Sequence, residues 1–188
     1  MRGLYAIGLT LLVVTLARVA AQTEPPPQRQ RRESPPQHQV ARTIEYFAGR
    51  WRFEYVGGEF PPLSGGSRTG LIPFLRIGAS NFVSGQLEGE LGGKPYRENQ
   101  TIGLDPDGYA LVAVERRPDG SELVSLGQWR SPLAILFQTA PLQTGGKTYQ
   151  LKRAIAVTSE SAFEVTEEFS VDGGPFKRLG KGRYTKQP

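Results

Sequence analysis

Glycine pairs and Pro-Asp-Gly turns divide this chain into short segments with alternating apolar residues, and this pattern constrains the fold more than any other feature. The pairs are Gly57-Gly58, Gly65-Gly66, Gly92-Gly93, Gly145-Gly146 and Gly173-Gly174, and the turns are Pro106–Gly108 and Pro118–Gly120. Glycine tolerates positive φ and Asp-Gly suits tight hairpins, so the segments between these positions are predicted to be antiparallel strands. We predict about ten strands: 50–56, 67–75, 81–90, 94–104, 109–116, 121–129, 133–140, 147–158, 162–171 and 176–186.

A series of antiparallel strands joined by short turns is expected to close on itself. Closure removes the unpaired edges that an open sheet would expose. The sequence therefore predicts an all-β, antiparallel up-and-down β-barrel of about ten strands. A two-sheet sandwich is the alternative, but it needs longer crossover connections than these turns provide. Ahead of the first strand, residues 43–49 predict a short N-terminal helical turn, with Thr43 as the N-cap and Gly49 as the stop.

The best-defined hairpin joins Tyr149–Val157 to Phe163–Val171. Each segment alternates between apolar and polar residues, and each apolar stripe is interrupted by one charge, Arg153 in the first and Glu167 in the second. In one register every apolar residue of the two stripes meets an apolar partner, and Arg153 meets Glu167. A shift of one residue would place the apolar stripe against the polar face, so this register is the predicted one.

The register places Arg153 and Glu167 opposite each other on the inward face of the barrel. Charges removed from water are tolerated there when they are paired. Two interpretations remain open: an ion pair that only fixes the register, or a polar handle that orients a carboxylate or hydroxyl of a ligand in an apolar cavity. The candidate ligand-binding residues are Arg153, Glu167, Tyr149, Leu151, Phe169 and Tyr96. Tyr96, Tyr109, Trp129 and Phe137 could line a cavity or simply belong to the core.

The first 42 residues differ in composition from the rest of the chain. Arg2, the apolar run from Leu4 to Leu16 and the small residues Val19–Ala21 match a secretory signal peptide cleaved after Ala21. A retained membrane anchor is the alternative, but the run is shorter than the roughly 20 apolar residues that a spanning helix needs. We expect an exported bacterial protein, periplasmic or secreted, with a signal peptide at 1–21, a disordered linker at 22–42 and a lipocalin-like barrel domain at 43–188.

Most of the formal net charge of +5 lies outside the predicted barrel. Residues 1–42 contain six Arg and two Glu, whereas residues 43–188 contain 17 basic and 16 acidic residues. A basic groove for nucleic acid is therefore not indicated. The linker is rich in Pro, Gln and Arg, and its basic cluster predicts either weak contact with anionic lipid or cell-wall polymer, or an inert spacer.

The residue inventory excludes several chemistries for the barrel domain. The only histidine is His38, in the linker, there is no cysteine, and the only methionine is Met1. Haem ligation by these residue types, a zinc site with Cys or His ligands, and a nucleophile with a histidine base all lack their residues. We expect no metal and no cofactor, and we assign no catalytic residue. Glu88, Glu90 and Glu98 could support acid–base chemistry, but a solvated strand face is the commoner role.

The start of the first strand, "FAGRW" (Phe47–Trp51), resembles the Gly-x-Trp signature at the start of the barrel in lipocalins and related calycins. The ending from Lys147 to Lys186 resembles the C-terminal half of lipocalin-like bacterial domains of unknown function. This resemblance implies structural roles for Gly49 and Trp51. It also implies that an arginine of the last strand lies over the tryptophan, and Arg183 is the positional match, with Arg178 as the substitute.

The middle of the chain departs from that family pattern. Where a strand rich in Tyr and Trp is expected, this sequence has "YALVAVERRPDG" (Tyr109–Gly120). Haem-binding relatives of similar shape use a histidine in the barrel, so haem binding does not carry over. We therefore expect a barrel that binds a small hydrophobic or amphipathic ligand inside. The alternatives are a non-catalytic envelope interaction protein with a filled core and, with less support, a calycin-type enzyme acting on a hydrophobic acid.

Overall fold

A computed structural model of the protein describes residues 43–60, 62–104 and 110–188. The predicted signal peptide and linker lie outside these residues. None of the helical structure in the described part of the chain is long and apolar enough to cross a bilayer. The elements are a 3₁₀ helix (Ile44–Phe47) and the strands β1 (Gly49–Gly57), β2 (Glu59–Phe60), β3 (Ser64–Gly65), β4 (Arg68–Arg76), β5 (Phe82–Leu91), β6 (Lys94–Leu104), β7 (Leu111–Arg116), β8 (Glu122–Ser131), β9 (Ala134–Thr139), β10 (Leu142–Thr144), β11 (Lys147–Ser159), β12 (Ala162–Val171) and β13 (Lys177–Lys186).

Ten of these strands form one closed antiparallel barrel, as predicted. Strands β4 to β9 follow one another as a meander, β9 pairs with β11 to close the ring, and β13 returns to β1. Each predicted strand that ends within the described residues agrees with the observed bounds to within two residues. Three short strands were not predicted: β10, which extends the sheet beside β11, and the separate β2–β3 hairpin.

The hairpin of β11 and β12 has the predicted register. Val157 faces Phe163, Leu151 faces Phe169, and Arg153 faces Glu167. The apolar residues of the stripe point inward, while the intervening residues Ala156 and Glu164 are exposed. The alternation of apolar and polar residues therefore predicted the inward face correctly, because a strand places successive side chains on opposite faces of the sheet.

Aromatic side chains close one end of the barrel around the 3₁₀ helix. Trp51 and Phe47 are fully buried, and the Trp51 Nε1 atom donates a hydrogen bond to the Phe47 carbonyl at 2.7 Å. The Tyr46 hydroxyl donates to the Ala162 carbonyl at 2.9 Å, and Phe163 packs on the Trp51 ring at 4.9 Å between centroids. Thr43 precedes the helix as expected but makes no side-chain capping hydrogen bond, so this ring packing holds the helix in place.

The cation over Trp51 is not the one predicted. The Lys186 Nζ atom lies 5.2 Å from the Trp51 ring centroid, and Lys186 is the residue of β13 that pairs with Trp51. Arg183 pairs with Glu54 and is exposed, and Arg178 pairs with Glu168 and is also exposed. The prediction was wrong because the position of β13 against β1 cannot be obtained from the sequence of β13 alone.

The other end of the barrel is covered by the connection between β1 and β4. Its β2–β3 hairpin and Leu63, together called the cap here, fold over the barrel mouth. Leu63 is buried in an apolar cluster with three barrel leucines, and the Phe60 ring packs on Phe169 at 4.1 Å between centroids. The barrel leucines are Leu123, Leu151 and Leu179. The interior is therefore enclosed at both ends by apolar side chains.

A buried charged layer beneath the cap: the candidate functional site

Five charged side chains lie inside the barrel, between the aromatic end and the cap. They are Arg68 of β4, Glu98 of β6, Glu115 of β7, Arg153 of β11 and Glu167 of β12. Each one continues an inward-facing apolar series of its strand, for example Leu111 and Ala113 ahead of Glu115. We call this set the charged layer. Charges at such depth are rare unless they are paired, so the pairing of each residue matters.

Arg153 is the centre of the charged layer because it bridges two carboxylates. Its Nε and Nη2 atoms donate to Glu167 Oε1 at 2.8 and 2.6 Å, and its Nη1 atom forms an ion pair with Glu115. Burial works against the guanidinium charge, but Glu115 and Glu167 raise the pKa of Arg153 well above its ordinary value. Burial likewise favours neutral Glu115, yet Arg153 outweighs it and lowers the pKa of that carboxyl. Arg153 and Glu115 are therefore both ionised at neutral pH.

Glu98 is the carboxylate that lacks a direct guanidinium partner. It accepts hydrogen bonds from the Tyr96 hydroxyl and, at 2.8 Å, from Gln100 Nε2, whereas the nearest guanidinium atom, Arg68 Nε, is 4.0 Å away. Burial first, and then the negative charge of Glu115, raise the pKa of Glu98. Glu98 is thus the group in the layer whose ionisation costs most.

Arg68 and Tyr55 carry polar atoms that are buried without a partner. The Arg68 guanidinium lies over the Tyr55 ring at 4.6 Å from the centroid, and its Nη1 atom donates to the Gly66 carbonyl at 3.3 Å. Neither Arg68 Nε nor Tyr55 Oη has a hydrogen-bond partner. Burial, followed by the negative charge of Glu167, raises the pKa of Tyr55. The Glu167 carboxylate and the Ser64 hydroxyl both act on the phenol from nearby, but neither meets it in hydrogen-bonding geometry. Such atoms are uncommon in native interiors and call for a water or ligand partner.

The free space beside the charged layer is small in this closed form. A cavity of about 20 Å³ lies next to Arg153 and Glu115, between Tyr184 and Phe137. A cavity of roughly 10–15 Å³ is enough to hold one water molecule. An amphipathic ligand therefore cannot enter unless cap side chains are displaced.

The structure brings only some of the predicted site residues together. Arg153, Glu167 and Leu151 lie inside, the first two in the charged layer and Leu151 directly under the cap. Tyr149 and Phe169 are half-buried at the mouth, where both rings pack on Phe60 of the cap. Tyr96 is half-buried, and its hydroxyl donates a hydrogen bond to Glu98. Whether these residues bind a ligand stays a prediction.

Sequence reasoning missed Arg68 and Glu115. The signal was present, because Arg68 alternates with Gly70 and Ile72 on β4 as Glu115 does with the apolar residues of β7. Of the three glutamates considered for acid–base chemistry, Glu98 is buried and Glu88 and Glu90 are exposed. Phe137 belongs to the core, Trp129 is half-buried against it, and Tyr109 lies outside the described residues. In the described part of the chain, no group of three His, Cys, Asp or Glu is placed to hold a metal ion.

Comparisons with known proteins identify the fold. No protein-family model matches the chain, and no curated protein matches it. The crystal structure of Rv2717c from M. tuberculosis superposes with a TM-score of 0.57 at 15% identity, covering 77% of this chain and 95% of that one. A redesigned β-barrel, mFAP1, bound to DFHBI, superposes with a TM-score of 0.43 at 12% identity, covering 78% and 100%. At these identities the first likeness shows the barrel fold alone, and the second carries no argument about this protein.

The bridging role of Arg153 predicts a distinctive mutational pattern. Arg153→Met alone should lower the free energy of unfolding by about 3–5 kcal/mol, because Glu115 and Glu167 would remain buried without their cation. Replacing all three, with Glu115→Leu and Glu167→Leu added, should restore stability to near or above the original value. Urea unfolding measures both, with exposed Arg52→Met as the control. A triple variant as unstable as the single one would contradict the pairing.

The raised pKa of Glu98 predicts a pH-dependent effect of Glu98→Gln. The folded protein holds the Glu98 proton more tightly than the unfolded chain, so ionisation of Glu98 lowers stability as pH rises from the ordinary glutamate range towards the raised pKa. Glutamine cannot ionise. The unfolding free energy of E98Q relative to the unmodified protein should therefore increase as pH rises above the ordinary glutamate range, which lies at about pH 4. The exposed Glu90→Gln provides the control, and a difference that does not change with pH would refute the assignment.

Proposed function

We propose that this protein is an exported, non-catalytic, lipocalin-like barrel that binds a single small amphipathic ligand in its interior. The polar head of the ligand lies against the charged layer. Its apolar tail takes the place of cap side chains among the leucines that surround Leu63. Eight to ten strands suffice to hold one small ligand in a barrel of this kind.

The observation that carries the proposal is the pair of unpartnered donors beneath the cap. Arg68 and Tyr55 are 6% and 2% exposed, and each buries a polar atom without a partner. A buried donor left unpaired costs about 1–3 kcal/mol, so a ligand that supplies an acceptor gains that energy on binding. The donors lie between the charged layer and the apolar cap, and an apolar space with a few polar anchors is the usual composition of a small-molecule site.

The cap is the part of the enclosure best suited to move. Its strands β2 and β3 are two residues each and pair only with each other. Arg117, in the turn between β7 and β8, donates to the carbonyls of Pro62 and Leu63 and so ties the cap to the barrel. Elements with few hydrogen bonds to the rest of a protein open at low free-energy cost, whereas the ring cluster around Trp51 is packed from all sides.

Export and family remain part of the proposal. The sequence of residues 1–21 supports a cleaved signal, and the absence of cysteine from the chain suits a barrel that depends on its core rather than on disulfides. The Gly-x-Trp stretch supports a lipocalin-like origin, because Trp51 lies at the closed end next to the 3₁₀ helix and carries a β13 cation over its ring.

The filled interior supports a second candidate function. With a cavity of only about 20 Å³, the barrel could act through its outer face as a non-catalytic envelope interaction protein. That face has an apolar stripe on neighbouring strands, where Val114 pairs with Val124 and Val112 pairs with Leu126. Val124 and Leu126 are 46% and 62% exposed.

Native mass spectrometry of the full-length protein, produced in a bacterium and purified without detergent, tests the proposal. We expect a mass lacking residues 1–21 and a bound amphiphile. Leu126→Ser should retain that amphiphile, because the residue lies on the outer face. Loss of the amphiphile from the Leu126→Ser variant would favour the second candidate. A ligand-free mass that stays ligand-free after incubation with a bacterial lipid extract would overturn interior binding.

A further inference from the structure

The charged layer also indicates which head group the ligand carries. We propose that the head group is a neutral hydroxyl, held by the Nε–H of Arg68 and the hydroxyl of Tyr55. This inference rests on the proposed function, because it describes the polar end of the same interior site. Three observations carry it: the donors that lack partners, the charge of the layer, and the position of both donors under the cap.

The two donors belong to neighbouring side chains. Tyr55 of β1 and Arg68 of β4 are directly paired in the sheet, and the guanidinium stacks on the phenol ring. Ser64 of the cap is buried next to them and acts on the Tyr55 hydroxyl. A head group that arrives as the cap lifts therefore finds free donors on Arg68 and Tyr55, whereas the Arg153 guanidinium is already bound to Glu115 and Glu167.

Both free atoms are donors, so they require an acceptor. An Arg Nε–H can only donate, and a phenol buried beside carboxylates uses its proton as the donor. A hydroxyl oxygen has two lone pairs and can accept from both donors at once. Its own proton can go to Glu167, whose charge already acts on the Tyr55 hydroxyl. A hydroxyl head group thus satisfies both free donors, Arg68 and Tyr55, and gives its own proton to a nearby acceptor, Glu167.

The charge of the layer disfavours a carboxylate head group. Three carboxylates and two guanidinium groups lie in the layer, and Arg117 at the rim adds one cation that acts on Glu115. A fourth carboxylate would have to share Arg68 with Glu98, which lies 4.0 Å from Arg68 Nε, because Arg153 is saturated by Glu115 and Glu167. Four carboxylates would then face two guanidinium groups, so negative charge would be left unpaired. Burying an unpaired charge costs far more than burying a hydrogen-bonded hydroxyl.

An ammonium head group fails for the opposite reason. Its positive charge would offset the excess of carboxylates in the layer once the cap and Arg117 have moved away. An ammonium group, however, has no lone pair with which to accept a hydrogen bond. Arg68 Nε and Tyr55 Oη would stay unpaired, and a cation would lie beside the Arg68 guanidinium. A site with buried donors rejects a ligand that leaves them unsatisfied.

The test uses three probes with the same tail, measured by isothermal titration calorimetry on the full chain: decan-1-ol below its solubility limit, and decanoate and decyltrimethylammonium below their micelle concentrations. We expect decan-1-ol to bind about tenfold or more tightly than the other two. Tyr55→Phe should weaken decan-1-ol binding by about tenfold. The unliganded stability of Tyr55→Phe should not fall, because the deleted hydroxyl has no partner in the folded protein.

Arg68→Met is the second variant, and exposed Arg52→Met is its matched control. Arg68→Met should weaken decan-1-ol binding at least as much as Tyr55→Phe, and Arg52→Met should leave it unchanged. Tighter binding of decanoate or of decyltrimethylammonium, or decan-1-ol binding that is unaffected by Tyr55→Phe, would overturn the hydroxyl assignment while leaving interior binding intact. If none of the three probes binds, the proposed function fails together with this inference.

Discussion

The ion pairs of Arg153 are the interaction on which the rest of the interior depends. Arg153 of β11 binds Glu167 on the neighbouring strand β12 and Glu115 on β7, which lies two strands beyond β9 around the ring. The guanidinium therefore ties β7 to β11 and β12, two strands with which β7 shares no backbone ladder. A slip of one residue in any of the three strands would turn its charged side chain to the outside and break at least one of the two ion pairs in the core. The triad thus selects one closed arrangement of the barrel, whatever it adds to net stability.

The charged layer divides the interior into two apolar regions with different properties. Below it, the Phe163 ring packs edge-to-face against Trp51 and stacks on Tyr184 at 4.3 Å between centroids. Above it, Leu63 of the cap fills the barrel mouth, and the rest of the cap is the short β2–β3 hairpin. The lower region supplies the packing that keeps the barrel closed, so the upper region is free to exchange its contents. This asymmetry is the reason why we place the proposed ligand at the donors under the cap rather than at the Arg153 triad.

Much of the barrel could be predicted from the sequence because its turns and alternation are local signals. The register of β11 on β12 followed from two charges in otherwise apolar stripes. Glu115 was missed because it precedes Arg116 and Arg117 at a turn, where a charge looks like an ordinary solvated strand end. The role of Leu63 depends on how a connection folds over three distant strands, and no alternation encodes that. Lys186 took the place predicted for Arg183 for the same reason, since the ladder between the first and last strands is a long-range contact.

The central claim is that the charged layer stays intact while its cap side receives the ligand. Nitrogen-15 NMR of the arginine Nε–H groups during a titration with decan-1-ol measures both parts of this claim at once. The account predicts that the Arg153 Nε–H signal keeps its position and exchanges slowly with water, because it is bonded to Glu167 at 2.8 Å, while the Arg68 Nε–H signal shifts and saturates. An Arg153 Nε–H that exchanges as fast as that of exposed Arg52, or an Arg68 signal that does not move when the ligand is bound, would contradict it.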